Sequence, residues 1–510
     1  MSAVLTHETP TAVRTPGPRR TWSAVIALAL FEARRLLLRI PVLLAFAAYI
    51  GWTVWRAPDF EDGFPALQDV DRATQAAPLL VALAVLLSVN HAVLRSRRYD
   101  TERHFQVLVL APGWRTAAHA LSVVAAALVT ALVVLGQFGW AALRSGAVGG
   151  GSPGELLVGP LTVLLFGAIG VLLARLIPSA MAAPMAVVLL LFLFVAGAFP
   201  AGGGERGTRW LAPIVTESSS NILPSDLIGR PAAWHALYLA GLALTVLLLA
   251  VLVGAPRDWK VGAATAGALA LAVTGGVAQT ADLPGPVQTA REQATNAPEK
   301  TQKCVERDGS RYCAFPEWTA RTATWAKAAD QVRSLAGGTA HDQPIVVRQR
   351  IEARYGLQGD GAIAPATAPH QVTVGTAWGG NRVPEFSVAV AGVLVAGDEK
   401  AMDSLCDSRM VTVMWLALAG QDDPMQSLRD VRLDDSVSGS AIVVSQTDPL
   451  HMGAAQTTVV RELLGKPRDT VAAQVRAHWT ELTSPKLTSA RAAELLGVPV
   501  PKEKDEKCES

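Results

Sequence analysis

Residues 156–204 read LLVGPLTVLLFGAIGVLLARLIPSAMAAPMAVVLLLFLFVAGAFPAGGG and hold one charged side chain, Arg175. A bilayer core about 30 Å thick needs about 20 apolar residues as helix. A charge at its centre costs roughly 2.5–3.5 kcal/mol even on the lenient insertion scale. Arg175 divides the stretch into two windows, and five more lie outside it. The seven charge-free windows are 40–55, 73–94, 116–143, 156–174, 176–204, 231–255 and 261–281. The first reaches spanning length only by borrowing residues 36–38. Trp52, Trp55, Trp114, Trp140, Trp234 and Trp259 fall at or near window edges, where interfacial aromatics belong. The pattern predicts an α-helical polytopic membrane protein.

The rest of the chain is different. Over all 510 residues, 45 Lys and Arg face 43 Asp and Glu, and only 17% are charged. Residues 1–280 carry 20 basic and 14 acidic side chains, whereas 281–510 carry 25 and 29. Charge is therefore sparse in the first half and ordinary in the second. No basic stripe dominates, which excludes nucleic acid as a partner. Composition excludes a disordered chain, a collagen-like fibre and a small disulfide scaffold.

Orientation follows from Lys and Arg in the connections. With the N-terminus inside, segments 1–39, 95–115, 175 and 256–260 hold 14 basic residues, against 6 in 56–72, 144–155 and 205–230. Seven spans then leave the C-terminal half outside a plasma membrane. The seventh, within 256–281, is the weakest, being rich in Gly, Ala and Thr. Residues 1–18 carry three Pro and no pattern, as in a disordered cytoplasmic tail. Residues 19–40 predict an amphipathic interfacial helix, with Trp22, Val25, Ile26, Ala29, Leu30, Ala33, Leu36 and Leu37 on one face. Glu32, Arg35 and Arg39 gather on another. Six spans within 41–255 would form the membrane domain.

All four cysteines lie in the C-terminal half. In CVERDGSRYC, residues 304–313, Cys304 and Cys313 are symmetric about Asp308-Gly309, a favoured two-residue hairpin turn. That register makes 304/313 a non-hydrogen-bonded pair, within disulfide reach, and sets Glu306 opposite Arg311. A disulfide implies an oxidising compartment, in agreement with the charge-based orientation. Cys406 and Cys508 form a second bridge, or Cys508 stays free on a tail. Residues 282–300 read as a Pro-, Gln- and Thr-rich linker, and 301–510 as a mixed α/β soluble domain. Strands are expected at 344–350, 371–376, 387–395 and 441–446, with helices at 316–336, 402–419, 457–464, 470–482 and 489–496.

Catalytic and cofactor signatures are absent. Two GxGxxG matches (149–154 and 202–207) and a GxSxG match (150–154) follow membrane windows on the outer side, with no strand–turn–helix context. There is no GxxxxGK[ST] and no HExxH, so no cofactor or metal is expected. His341, His370, His451 and His478 lack ligand spacing. Within the windows the larger polar groups are Asn90, His91, His119, Gln137 and His235, suited to interhelical hydrogen bonds.

The longest inner connection, with the start of the next window, reads RSRRYDTERHFQVLVLAPGWRTAAHALS, residues 95–122. Arg95, Arg97 and Arg98 suit headgroups, and Asp100 or Thr101 can cap a short helix. Phe105, Leu108 and Val109 give that helix an apolar side, which Pro112-Gly113 closes. A protruding helix of this kind suits a cytosolic partner.

Together with LALFEARRLLLRIPVLLAF (28–46), this stretch resembles the permease subunits of ATP-binding-cassette transporters of the type-2 exporter class. Thr101-Glu102-Arg103, Val107-Leu108 and Ala111-Pro112 look like that family's inner loop. Its usual glutamate is missing, with Gln106 or Val107 in the place. RWLAPIVTESSSNILPSDLIG (209–229) is similar to the family's outer re-entrant hairpin. The resemblance covers about residues 20–255. It implies two six-span units, a homodimer or a pair with a paralogue, each docking a separate ATPase subunit. The docking elements would be the interfacial helix (Glu32, Arg35, Arg39) and a coupling loop of Arg97, Arg98, Tyr99, Asp100, Glu102, Arg103, Phe105 and Leu108. The chain itself would not be an enzyme. A membrane-anchored receptor with an outer ligand-binding domain is the alternative reading.

Overall fold

Most of the apolar windows become long helices in a computed structural model of the chain. It describes residues 18–61, 63–99, 110–198, 207–215, 222–254, 259–356, 363–403, 405, 407–432 and 437–505. Helix α1 (Pro18–Leu37) meets α2 (Ile40–Glu61) at a break that bends the pair by 61°. Pro41 sits in the first turn of α2, where its missing N–H costs nothing. After a short α3 (Leu67–Ala73) come α4 (Pro78–Arg98), α5 (Pro112–Ala142) and α6 (Pro153–Leu176). Then follow α7 (Ala182–Ala198), α8 (Ala232–Gly254) and α9 (Trp259–Thr280).

By length and apolar composition, five helices among the described residues can cross a membrane, or six if α1 and α2 are one broken span. The window 176–204 yields α7, which at 17 residues is shorter than the usual span.

The Gly/Ala-rich composition of α9 has a packing reason. A side chain at Gly241 of α8 would strike the backbone of Ala272, and one at Gly275 of α9 would lie 2.6 Å from the Tyr238 nitrogen. The two backbones thus touch, as small residues permit between membrane helices. Polar groups join helices sparingly: Asn90 Nδ2 donates to the Gly170 carbonyl at 3.2 Å, and Tyr49 Oη to Gln137 Oε1 at 3.2 Å. His235 Nδ1 pairs with Gln279 Oε1 at 2.9 Å, bonding α8 to α9.

At one end of the bundle three connections knit together. The Leu67 and Val148 backbones bond to Val148 and Pro65 respectively. Asp71 accepts from the Ser152 N–H at 2.8 Å and faces Arg230 at 3.5 Å, while Gln68 Nε2 donates to the Leu223 carbonyl at 3.0 Å.

The C-terminal region packs on this same end. Its four-stranded sheet runs β1 (Lys303–Arg307), β2 (Ser310–Ala314), β3 (Val346–Gln349), β4 (Gln371–Val374), in that order. The first pair is antiparallel and the other two parallel. The hairpin register is the one expected from Asp308-Gly309: both residues have positive φ, +48° and +74°, and Glu306 faces Arg311. Cys304 and Cys313 lie opposite, with Cα atoms 4.0 Å apart, and are disulfide-bonded. Cys406 and Cys508 lie outside the described residues.

One strand expectation is overturned. Residues 387–395 belong to a helix, α10 in the cap (Arg382–Ala396), and not to a strand. Val388, Ala389, Val390, Ala391 and Val393 are all buried. An element surrounded by core shows no period in its hydrophobicity, so a β-branched run reads equally as strand or helix. Pro384 near its start and Gly397, with φ +102°, just after its end match helix punctuation.

The apolar core of this region extends into the bundle's connections. Ala66, Val148, Leu223, Leu227 and Ile228 belong to the same buried cluster as Tyr312, Trp318, Trp325, Phe386 and Trp415. Within 282–300, read above as a linker, Gly285–Asn296 is helical and Arg291 is buried. The Arg291 guanidinium donates to the Leu227 and Ile228 carbonyls, each at 2.7 Å. Arg321, 2% exposed, donates to the Phe64 carbonyl at 2.5 Å and the Thr376 carbonyl at 2.7 Å. Burial lowers the pKa of Arg321 to about 10, leaving it charged at neutral pH. Ser225 N–H donates to Glu317 at 3.1 Å. The C-terminal region is thus a cap seated on the connections, with one continuous core.

Candidate coupling face

At the opposite end, α1 packs along the start of α5. Val25, Ala29, Ala33 and Leu36 are buried, Val25 and Ala29 against Ala118, and Trp22 meets Trp114 edge to face with centroids 5.0 Å apart. Leu110, where the inner connection returns to α5, joins that cluster. Ile26, Leu30 and Phe31 remain exposed, at 50–66%. The apolar face therefore divides, one side to protein and the other outward.

The three polar residues expected together on α1 take three environments. Glu32 is 4% exposed, and its Oε1 accepts from Arg95 Nη2 at 2.7 Å. Arg35 is exposed, its guanidinium carbon 5.5 Å from the Phe31 ring centroid. Arg39, half-buried at the α1–α2 break, donates from Nη1 to the Ser88 carbonyl at 2.7 Å. Glu32 is buried because positions 25, 29, 32 and 36 repeat at 4-3-4 spacing, which lines one seam of a helix. That spacing was present in the sequence; the partner that makes a carboxylate tolerable there was not. A buried carboxylate needs a counter-charge, and Arg95, at the C-terminal end of α4, supplies it. The pair ties α1 to the residues that lead out of α4.

Of the expected coupling-loop residues, Arg98 and Tyr99 are described in full. Arg98 Nη1 lies 3.0 Å from His91 Nδ1, and Tyr99 is 72% exposed. Arg97 lies in the last turn of α4. Asp100, Glu102, Arg103, Phe105 and Leu108 lie outside the described residues. In sequence, residues 18–45, 86–99 and 110–122 hold nine arginines against one carboxylate, Glu32.

Polar contacts on the described residues of this face include Glu32 with Arg95, Arg39 with the Ser88 carbonyl and Arg98 with His91. Among the described residues, no cluster of His, Cys, Asp or Glu could hold a metal ion. The cap's most buried carboxylate among the described residues is held by structural contacts. Glu399, wholly buried, accepts from the Ala366 N–H at 2.8 Å and the Thr373 hydroxyl at 2.9 Å, with Arg350 3.9 Å away. Burial pushes its pKa above the ordinary carboxylate value.

No protein-family model matches the chain, and no curated protein matches it.

Proposed function

We propose that this chain is the membrane-embedded permease subunit of an ATP-driven exporter of the ATP-binding-cassette type. Two such units pair, and a separate ATPase subunit docks on each at the α1–α4–α5 end. The N-terminus and the 95–115 connection are cytoplasmic, and the cap is extracytoplasmic, outside a plasma membrane. The Glu32–Arg95 pair carries this reading: it joins α1 to the base of the inner connection, so a push on either moves both. The excess of arginine in the segments at that end favours an acidic protein partner. The chain's lack of a phosphate-cradling loop fits a division of labour in which another subunit hydrolyses ATP.

Copurification tests the proposal. The chain should bring down an ATPase with phosphate-loop motifs, and replacing 97–111 by a Gly/Ser linker should abolish that capture while leaving the cap folded. Capture that survives the replacement refutes the coupling assignment. Thiol labelling of Cys304 and Cys313 in intact cells, only after an impermeant reductant, would support the orientation; labelling that requires permeabilisation would reverse it.

A further inference from the structure

Between α4, α6 and α7, on the half of the bundle nearer the cap, lies a cavity of about 320 Å³. Leu79 and Leu83 of α4, Phe166 of α6 and Leu190 of α7 form its walls, and the segment ending at Ile214 closes its top. Its size is that at which small-ligand pockets begin, about 300 Å³.

The lining is apolar because the closing segment turns its polar backbone elsewhere. The Pro213 carbonyl accepts from Thr162 Oγ1 at 3.4 Å and lies 3.3 Å from His235 Nε2. The Leu211 carbonyl accepts from Tyr238 Oη at 3.0 Å. Thr208, at the rim, is the one polar side chain among the lining residues. Water needs two or more polar partners to settle in such a space. This one offers too few, and left empty its walls would forfeit dispersion contacts.

We infer that this cavity is a binding site for one acyl chain of a membrane lipid, entering sideways from the hydrocarbon. The mouth supports that occupant. Leu191, Leu193 and Leu211 line the cavity and are 38%, 54% and 43% exposed, whereas Phe166 and Ile214 at its back are 4% and 3% exposed. The interior is thus continuous with the outward surface of α7, where Val188, Leu189 and Phe192 are also exposed. At that depth the adjoining phase is lipid tails. The site goes beyond the transport proposal and does not depend on an ATPase.

The test uses the full chain in vesicles of phosphatidylcholine carrying a photoactivatable diazirine on one acyl chain. Crosslinks mapped by mass spectrometry should fall on 190–193 and 208–214 several-fold more often than on Leu128 and Leu132, leucines of α5 that are more exposed, at 61% and 69%. Leu83→Trp, which fills the cavity, should reduce the labelling of 208–214 several-fold and leave α5 unchanged. Leu79→Phe repeats the measurement from the neighbouring wall. Equal labelling of cavity and α5 in the unmodified protein would overturn the inference, showing only the ordinary lipid annulus. Labelling that neither substitution changes would do the same.

Discussion

The bundle and the cap hold their chains together by different means. In the bundle, α8 and α9 approach until Gly241 and Gly275 leave no room for a methyl group, and single side-chain hydrogen bonds such as Asn90 to Gly170 join helices. Hydrocarbon on the outside removes any hydrophobic gain from association, so shape decides. The cap faces water and buries a core of tryptophans with two guanidiniums, Arg291 and Arg321, aimed at carbonyls of the bundle's connections. A buried guanidinium is tolerated only where its donors meet acceptors. The boundary between the two regions is thus written in charged hydrogen bonds, while the bundle's interior is written in missing side chains.

The largest expected effect breaks that boundary. Arg321→Ala takes the guanidinium away from the Phe64 carbonyl, while Thr376 keeps the Trp318 indole N–H at 2.9 Å, and it opens a void. It should cost roughly 3 kcal/mol or more, read as early protease cleavage of the cap in detergent. Arg321→Lys should not rescue it, since one ammonium cannot reproduce the fork. A cap with wild-type protease resistance would dissolve the distinction drawn here.

Next comes the hairpin. Cys304→Ser opens a ten-residue loop and should destabilise the cap by roughly 2–3 kcal/mol on the chain-entropy account. Thermal unfolding should show the loss in the cap's transition with the bundle's unchanged. Gly275→Val probes the opposite region, with overpacking expected to cost about 1–3 kcal/mol. Its signature should be loss of α8–α9 cysteine crosslinking while the cap stays protected.

Glu32→Gln is smaller still. Arg95 is 30% exposed and keeps access to water, so the expected loss is about 1 kcal/mol. Differential scanning fluorimetry in detergent would resolve it. A loss as large as that of Arg321→Ala would mean that the α1–α4–α5 end is as tightly locked as the cap.

The smallest effect is one of pH. Folded Glu399 has a raised pKa, so the native cap binds more protons than the unfolded chain between the ordinary carboxylate value of 4.5 and the raised one. Its contribution therefore favours folding increasingly as pH falls through that window, and is lost as pH rises above the native value. Glu399→Gln should flatten this component of the cap's melting temperature against pH.

Much of the fold was legible without coordinates. The charge-free windows at 73–94, 116–143, 156–174, 231–255 and 261–281 each lie largely within a long helix. Symmetry about Asp308-Gly309 specified the disulfide and its register. The candidate site was less legible. Glu32 showed helical spacing on both its own polar face and the buried seam, and spacing alone does not choose between them. The choice required Arg95, 63 residues away in the chain.

By itself the sequence determined where the chain can enter hydrocarbon and how the hairpin closes, because both rest on local rules: ions are excluded from lipid, and a two-residue turn sets strand pairing. Only the tertiary structure decided that 387–395 is helix, that Arg291 and Arg321 are buried, and that cap and connections share one core. Those outcomes depend on which distant atoms arrive to satisfy a charge or fill a space, and no neighbour in sequence carries that information.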